Sequence, residues 1–250
     1  MKVSLKAMKI LILGATGAAG GSLFDLALSS TLVSEVRTIS RRAVVTGSPK
    51  HVGFLHQNLL DYTLVSEAFA SLDACFFCVG RAVTQVRDEA EYRTLVRSFA
   101  EAAARALRSR SPGAIFHYLS GQGANPASRQ MWARVKAEAE RVLIDEYEAV
   151  CWRPGAIDAK RTSGWPAFYR VVIPALRIFA PSRRFYVTGD ALARAMLIAA
   201  ATKARARIIE NLEIRRIAEE DHSSEQEKSA TAGPGQETRS ISARRPGARA

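Results

Sequence analysis

Lys9-Ile-Leu-Ile-Leu13 runs directly into Gly14-Ala-Thr-Gly17-Ala-Ala-Gly20-Gly21, and these two stretches decide the fold. The first predicts an apolar strand, the second a glycine-rich turn, and the amphipathic stretch Ser22–Ser30 predicts a helix after it. Glycine lets the backbone approach a phosphate, and a helix N-terminus offers unpaired N–H groups with partial positive charge. The order therefore predicts a diphosphate-binding turn, although its Gly-x-x-Gly-x-x-Gly spacing differs from the commoner Gly-x-Gly-x-x-Gly. The alternative is a tight strand–helix turn that binds nothing. The candidate cofactor-binding residues in the turn are Gly14, Thr16, Gly17, Ala18, Ala19 and Gly20.

The composition is that of a chain with one sizeable hydrophobic core. Of its 250 residues, 48% are hydrophobic, and no apolar run reaches the roughly 18 residues that a membrane span needs. We therefore expect no integral membrane segment. Cys75 and Cys78 lie in one apolar strand, where residues three apart point to opposite faces, and no second pair completes a metal site. With Cys151 they predict buried, reduced thiols, no metal, and a reducing, cytoplasmic location.

The net charge is +12 and the isoelectric point is about 10.1. Such a surface can attract nucleic acid, anionic lipid or phosphorylated ligands. The basic residues are nevertheless scattered singly along helices, and no nucleic-acid motif accompanies them. We therefore expect a solvated arginine-rich surface and no nucleic-acid partner.

Strand-like apolar runs alternate with helical patterns along the first part of the chain. This alternation predicts an α/β fold, a Rossmann-type doubly wound parallel sheet with helices on both faces and a small C-terminal substrate-side region. The predicted strands are Ile10–Leu13, Val36–Ser40, Val52–Leu55, Ala74–Val79, Ala114–Leu119 and Ala149–Trp152. The predicted helices are Glu89–Leu107, Arg129–Glu146 and Ala191–Thr202, the last with Asp190 as its N-cap.

Composition also divides the chain. We expect residues 1–8 to form an N-terminal extension and residues 9–217 to form a Rossmann domain that binds NAD(P), with a substrate-side region at about 156–190. Residues 218–250 are rich in Ser, Glu, Gln, Gly and Arg, with almost nothing to bury, and so predict a disordered tail.

Further candidate residues follow the predicted strands, where ligands bind in open α/β sheets. Arg41 and Arg42 end the second strand, about 20 residues past the glycines, where arginine suits the 2′-phosphate of NADP and an acidic residue would suit NAD. A plain surface arginine pair is the alternative. The third and fourth strands are followed by the weaker candidates Asn58, Leu59, Val79 and Gly80.

The fifth strand ends in Tyr118-Leu-Ser120, and a predicted helix carries Trp132 and Lys136. The two helical residues are four apart and therefore share a face. A strand-end hydroxyl and a surface lysine are the structural alternatives for Ser120 and Lys136.

Together these motifs resemble the atypical short-chain dehydrogenase/reductases, and within them the small NAD(P)H-binding branch. The resemblance covers roughly Lys9 to Leu212, and it is specific in the order and spacing of the motifs. The residues that carry it are Gly14-Ala-Thr-Gly-Ala-Ala-Gly20, Arg41-Arg42, Cys78-Val-Gly80, Leu119-Ser120-Gly-Gln-Gly-Ala124, Lys136 and Arg153-Pro154-Gly155. It implies a Rossmann fold that binds NADP(H), with Lys136, Pro154 and Gly155 among the contacts.

The family's catalytic pattern is a serine followed by Tyr-x-x-x-Lys. Ser120 matches the serine and Lys136 the lysine, but Trp132 stands at the tyrosine position. An indole N–H donates a hydrogen bond but does not titrate near neutral pH, so the usual proton transfer lacks its residue. Tyr118 lies on the same strand face as Ser120 and is a candidate replacement.

Two functions follow. The first is an NADP(H)-dependent reductase of a small carbonyl or enone substrate, with weakened acid–base machinery. The second is a catalytically silent NADP(H)-binding regulator or assembly factor that acts through a protein partner. We expect a monomer or a homodimer in either case.

Overall fold

The computed structural model describes residues 7–80, 85–160 and 184–220. The strands are β1 Met8–Leu13, β2 Val33–Ser40, β3 His51–Leu55, β4 Ala74–Phe77, β5 Ile115–Leu119, β6 Val150–Arg153, β7 Ala156–Asp158, β8 Tyr186–Thr188 and β9 Arg207–Glu210. The α-helices are α1 Ala18–Ser29, α2 Glu89–Arg93, α3 Phe99–Arg110, α4 Met131–Tyr147, α5 Gly189–Ala201 and α6 at 211–220. A π-helical turn at Thr94–Ser98 joins α2 to α3, and a 3₁₀ helix spans Thr63–Phe69.

Seven parallel strands form one sheet in the order β3-β2-β1-β4-β5-β6-β9, and β7 and β8 form a separate parallel pair. The chain runs outward from β1 to β3 and then returns to add β4 on the other side of β1. The strand order therefore reverses between β1 and β4, and in open α/β sheets ligands bind at the carboxyl ends of the strands beside such a point. The predicted doubly wound α/β fold is confirmed.

Two hydrophobic layers cover the two faces of the sheet. Ile10 and Trp152 face the layer with α1 and α5, whereas Leu11 and Phe77 face the layer with α3 and α4. Strands covered on both faces need apolar side chains at every position, which explains the continuous apolar runs of the sequence.

The three cysteines are buried free thiols, as predicted. Cys75 belongs to the α3–α4 layer and Cys78 to the α1–α5 layer, so the pair points to opposite faces. Burial raises the pKa of each thiol, that of Cys78 to about 12, which keeps them protonated.

Three predicted boundaries are corrected by the structure. Met8 is not part of an extension, since it begins β1 and donates its N–H to the Leu32 carbonyl at 2.7 Å. Helix α5 begins at Gly189, and its N-cap is Thr188, whose hydroxyl accepts from the Ala191 N–H at 3.1 Å, rather than Asp190. Residues 218–220 are helical and Ala218 is buried, so the predicted tail cannot begin at 218. The remaining tail, 221–250, lies outside the described residues, as does 161–183 of the predicted substrate-side region.

Surface arginines pair with carboxylates across helices. Arg93 and Arg97 both bind Glu138 of α4, and Arg110 binds Glu67. These pairs fit the interpretation of the basic charge as a solvated surface. Within the described ranges, no helix is long and apolar enough to cross a membrane.

His117 lies at the centre of the sheet as a buried neutral imidazole. Its ring stacks between Phe76 and Trp152, and Nδ1 accepts the Trp152 indole N–H at 3.3 Å. Nε2 has no hydrogen-bond partner among the described residues. Burial lowers the pKa of His117 to about 3.

We expect acid to destabilise the protein through His117. Below pH 6.5 the unfolded chain binds a proton that the folded chain excludes, so stability falls as the pH falls toward 3. Between pH 7 and 5 the wild type should lose about 2 kcal/mol more unfolding free energy than His117→Asn, which keeps an acceptor for the indole N–H. Urea unfolding at both pH values measures this difference. Equal losses in the two proteins would contradict it.

Candidate active site

The glycine-rich turn closes tightly between β1 and α1. Gly14 has φ +88°, and a Cβ there would lie 2.7 Å from the Cys78 carbonyl carbon. A Cβ on Gly20 would lie 2.8 Å from the Gly14 carbonyl carbon and would overlap its oxygen. Only glycine fits at either position, because real Cβ atoms do not approach backbone so closely.

No side chain of the described residues caps the N-terminus of α1. Gly17 is the N-cap and donates its N–H to the Gly14 carbonyl at 3.0 Å, but it has no side chain to cap the helix. The first-turn N–H groups, at Ala18, Ala19 and Gly20, have no intrahelical acceptors, and no acidic residue lies in that turn. Thr16 is exposed on the outer side of the turn. This arrangement fits a diphosphate.

Arg41 and Arg42 follow β2, which lies directly beside β1. Both are exposed, and neither side chain makes a hydrogen bond or an ion pair with any residue in the described part of the chain. Within the described residues, no carboxylate therefore competes with an anionic ligand for this pair.

The loops after β3 and β4 line the same edge of the sheet. Asn58 is exposed and accepts the Leu60 N–H at 3.1 Å, and Leu59 packs partly against the core. Val79 is half-buried, whereas a Cβ on Gly80 would meet no atom of the described residues within 4 Å.

Ser120 and Lys136 are brought together at the end of β5. The Lys136 ammonium donates to the Ser120 carbonyl oxygen at 2.5 Å. The Ser120 hydroxyl is buried and has no hydrogen-bond partner among the described residues. A buried orphan hydroxyl is costly unless something satisfies it, so a ligand oxygen suits this position. Burial lowers the pKa of Lys136 to about 8, against an opposing effect of Glu140.

Trp132 lies one helical turn before Lys136, as predicted, and packs on the loop after β5. It is half-buried, and its ring stands 3.3 Å from where a Cβ of Gly123 would be. Tyr118 lies in the core beneath α4, stacked on Phe77, with 1% of its surface exposed. Burial raises the pKa of Tyr118 well above its ordinary value, which makes it a poor proton donor.

Pro154 and Gly155 lie beside the loop that follows β5. The Pro154 carbonyl accepts the Gln122 N–H at 2.9 Å, and the Gly155 N–H donates to Asn211 Oδ1 at 2.8 Å. The buried Asn211 side chain also donates to the carbonyls of Arg184 and Tyr186. The contact of 154–155 with a cofactor stays a prediction.

Sequence reasoning missed the carboxylate below Lys136. Glu140 is buried, with 2% of its surface exposed, and pairs with Arg153 at the end of β6. The spacing could have predicted this position, because Glu140 comes four residues after Lys136 and therefore lies on the same helix face. In the described ranges, no group of His, Cys, Asp or Glu side chains is placed to hold a metal ion.

These observations fit a dinucleotide. The α1 N-terminus offers donors to a diphosphate, and Arg41 and Arg42 follow β2, the strand next to β1. Lys136 binds the end of β5, where the Ser120 hydroxyl has no partner among the described residues. The structure thus brings the predicted site residues to one edge of the sheet, apart from the core residue Tyr118.

No family model matches the sequence. A short-chain dehydrogenase family protein from Francisella tularensis is 14% identical, with a TM-score of 0.60 over 82% of this chain and 97% of that chain. WbmF from Bordetella bronchiseptica, in complex with NAD⁺ and UDP, is 15% identical, with a TM-score of 0.64 over 83% and 73%. UDP-glucuronic acid 4-epimerase from Bacillus cereus, in complex with NAD, is 17% identical, with a TM-score of 0.61 over 81% and 76%. The chain therefore has the fold of the short-chain dehydrogenases.

Proposed function

We propose that this chain is an NADP(H)-binding protein related to the atypical short-chain dehydrogenase/reductases, and that it reduces a small carbonyl or enone substrate with weakened acid–base machinery. The observation that carries the proposal is the open α1 N-terminus behind a turn that admits only glycine at positions 14 and 20. Structures of similar fold bind NAD⁺ or NAD, which supports a nicotinamide dinucleotide. Arg41 and Arg42 favour the phosphorylated form.

Backbone groups and side chains both have roles in this proposal. The N–H groups of Ala18, Ala19 and Gly20 hold the diphosphate, and Lys136 holds the nicotinamide ribose through its ammonium group. When bound, the cofactor supplies or accepts hydride. The Ser120 hydroxyl, which has no hydrogen-bond partner among the described residues, donates a hydrogen bond to the substrate oxygen.

A second function is favoured by Trp132 and Tyr118. The indole cannot release a proton near neutral pH, and burial keeps the Tyr118 phenol protonated. A chain that binds NADP(H) but has no titratable group at position 132 suits a regulator or assembly factor that acts through a protein partner. Robust NADPH oxidation with simple carbonyl compounds would exclude this second function.

We expect the protein to bind NADPH about ten- to a hundredfold more tightly than NADH, because a charge-assisted contact to the 2′-phosphate contributes about 1.5–3 kcal/mol. Isothermal titration calorimetry with both cofactors measures the difference. The double variant Arg41→Ala/Arg42→Ala should lose this preference and keep its NADH affinity.

The control is Arg205→Ala/Arg216→Ala, which removes the same charge from two exposed arginines that lie on other elements. It should keep the preference for NADPH. Equal dissociation constants for NADPH and NADH in the wild type would refute the NADP assignment, and no binding of either would refute the proposed function.

A further inference from the structure

A chain of four alternating charges lies beneath the candidate active site. Lys136 and Glu140 are on α4, Arg153 ends β6, and Glu210 ends β9. Arg153 binds both oxygens of Glu140, through Nε at 2.9 Å and a terminal nitrogen at 2.5 Å. Its other terminal nitrogen binds Glu210 at 2.9 Å. Arg153 and Glu210 are direct partners in the β6–β9 register, so the strands themselves set this contact.

In the Glu140–Arg153 pair, the carboxylate is more buried than that of any other ion pair in the described chain. The side chains are 3% and 17% exposed, whereas the Glu138 pairs on the same helix are about one-third exposed. Removing a carboxylate from water costs several kcal/mol, and an apolar pair of similar size often serves stability as well. Stability alone therefore does not account for a carboxylate at this place.

Lys136 connects this pair to the site. Lys136 and Glu140 are one helical turn apart on the same face of α4, and the Lys136 ammonium donates a hydrogen bond to the Ser120 carbonyl oxygen. Burial lowers the pKa of Lys136, and the negative charge of Glu140 raises it.

Four ionisable groups near α4 keep one charge state near neutral pH. Burial raises the pKa values of Tyr118 on β5, Cys151 on β6 and Tyr92 on α2, and these groups remain neutral. Hydrogen bonds to Glu140 raise the pKa of Arg153, which remains charged. Lys136 is thus the group whose charge Glu140 controls.

We propose that Glu140, held in place by Arg153, is a positioning residue that keeps the Lys136 ammonium charged and directed at the end of β5. This inference rests on the proposed function, because a charged Lys136 matters there for holding the ribose. It assigns the Lys-x-x-x-Glu spacing and the Arg153 contact a role in cofactor binding.

The test is Glu140→Gln, which keeps the size of the side chain and removes its charge. Its first readout needs no cofactor: reductive methylation with ¹³C-formaldehyde, with Lys136→Met to assign the signal, gives the Lys136 pKa by NMR. We expect a decrease of about one unit in Glu140→Gln, since a charge one helical turn away is lost. The control Glu138→Gln makes the same change on the same helix, where it breaks the pairs to Arg93 and Arg97, and should leave the Lys136 pKa in place.

The second readout is the pH dependence of NADPH affinity between pH 6.5 and 9.5. The wild-type affinity should fall as the pH rises through about 8, and in Glu140→Gln this fall should begin about one unit earlier, which weakens binding up to about tenfold above pH 8. Glu138→Gln should follow the wild-type curve. If Glu140→Gln does not fold, Glu140→Gln/Arg153→Gln removes both buried charges and replaces it in both measurements.

The outcomes separate the inference from the proposed function. An unchanged Lys136 pKa in the Glu140 variants overturns the positioning role, whether or not NADPH binds. A lowered pKa with no NADPH binding in the wild type supports the charge coupling but refutes the proposed function, and with it the role in cofactor binding.

Discussion

Replacement of Trp132 with tyrosine is expected to raise the rate of NADPH oxidation by about 10²- to 10⁴-fold, because a positioned general acid contributes a factor of this size. Residue 132 lies one turn before Lys136, and Ser120 lies against Lys136 at the end of β5. A phenol at position 132 would stand beside an ammonium group that favours its ionised form. The wild type should show only trace turnover, measured with a panel of simple aldehydes, ketones and quinones.

Trp132→Phe distinguishes the effect of a proton donor at position 132 from the steric effect of removing the indole. Phenylalanine is smaller than tryptophan, as tyrosine is, but it has no proton to give. If the bulk of the indole alone blocks the substrate, both variants gain activity, whereas a gain confined to Trp132→Tyr assigns it to the phenol. NADPH affinity should stay within a few-fold in each. Robust wild-type turnover that Trp132→Tyr leaves unchanged or lowers would refute the view of this chain as a reductase that has lost its acid.

Gly20→Ala is expected to lower the melting temperature and to abolish measurable NADPH binding. An exposed glycine-to-alanine change within a helix normally stabilises it by about 1 kcal/mol. At Gly20 the added Cβ would overlap the Gly14 carbonyl oxygen, so the sign reverses. Overpacking costs about 1–3 kcal/mol, which corresponds to a fall of roughly 2–12 °C in a domain of this size. The same displacement moves the N–H groups of the turn away from the diphosphate.

Gly47→Ala is the matched control, since a Cβ at Gly47 meets no atom of the described residues within 4 Å. It should leave both the melting temperature and the NADPH affinity near wild-type values. Differential scanning fluorimetry and calorimetric titration measure the two effects. A Gly20→Ala protein that melts and binds like the wild type would show that the turn relaxes without cost, and the assignment of the diphosphate to it would lose its support.

Local chemistry made much of the fold predictable from the sequence. Gly20 follows from the close approach of the Gly14 backbone earlier in the same turn, and the central strands follow from continuous apolar runs, because both faces of those strands are covered. Arg41 and Ser120 are candidates because the carboxyl ends of parallel strands meet at one edge, and Lys136 is a candidate because it matches the lysine of the family pattern. These inferences need only neighbouring residues and the general geometry of the fold.

The tertiary structure alone decided features that depend on distant partners. Strand β9 is only Arg207–Glu210, with charged residues at both ends, and it forms because the edge of β6 pairs with it. Thr188 caps α5 in place of Asp190 because it ends β8 directly before the helix, where its hydroxyl accepts the Ala191 N–H. Tyr118 shares a strand face with Ser120, yet α4 covers it and removes it from the site. Glu140 is likewise buried because of a distant partner, Arg153 on β6. The bidentate contact with Arg153 offsets the cost of taking the carboxylate charge out of water.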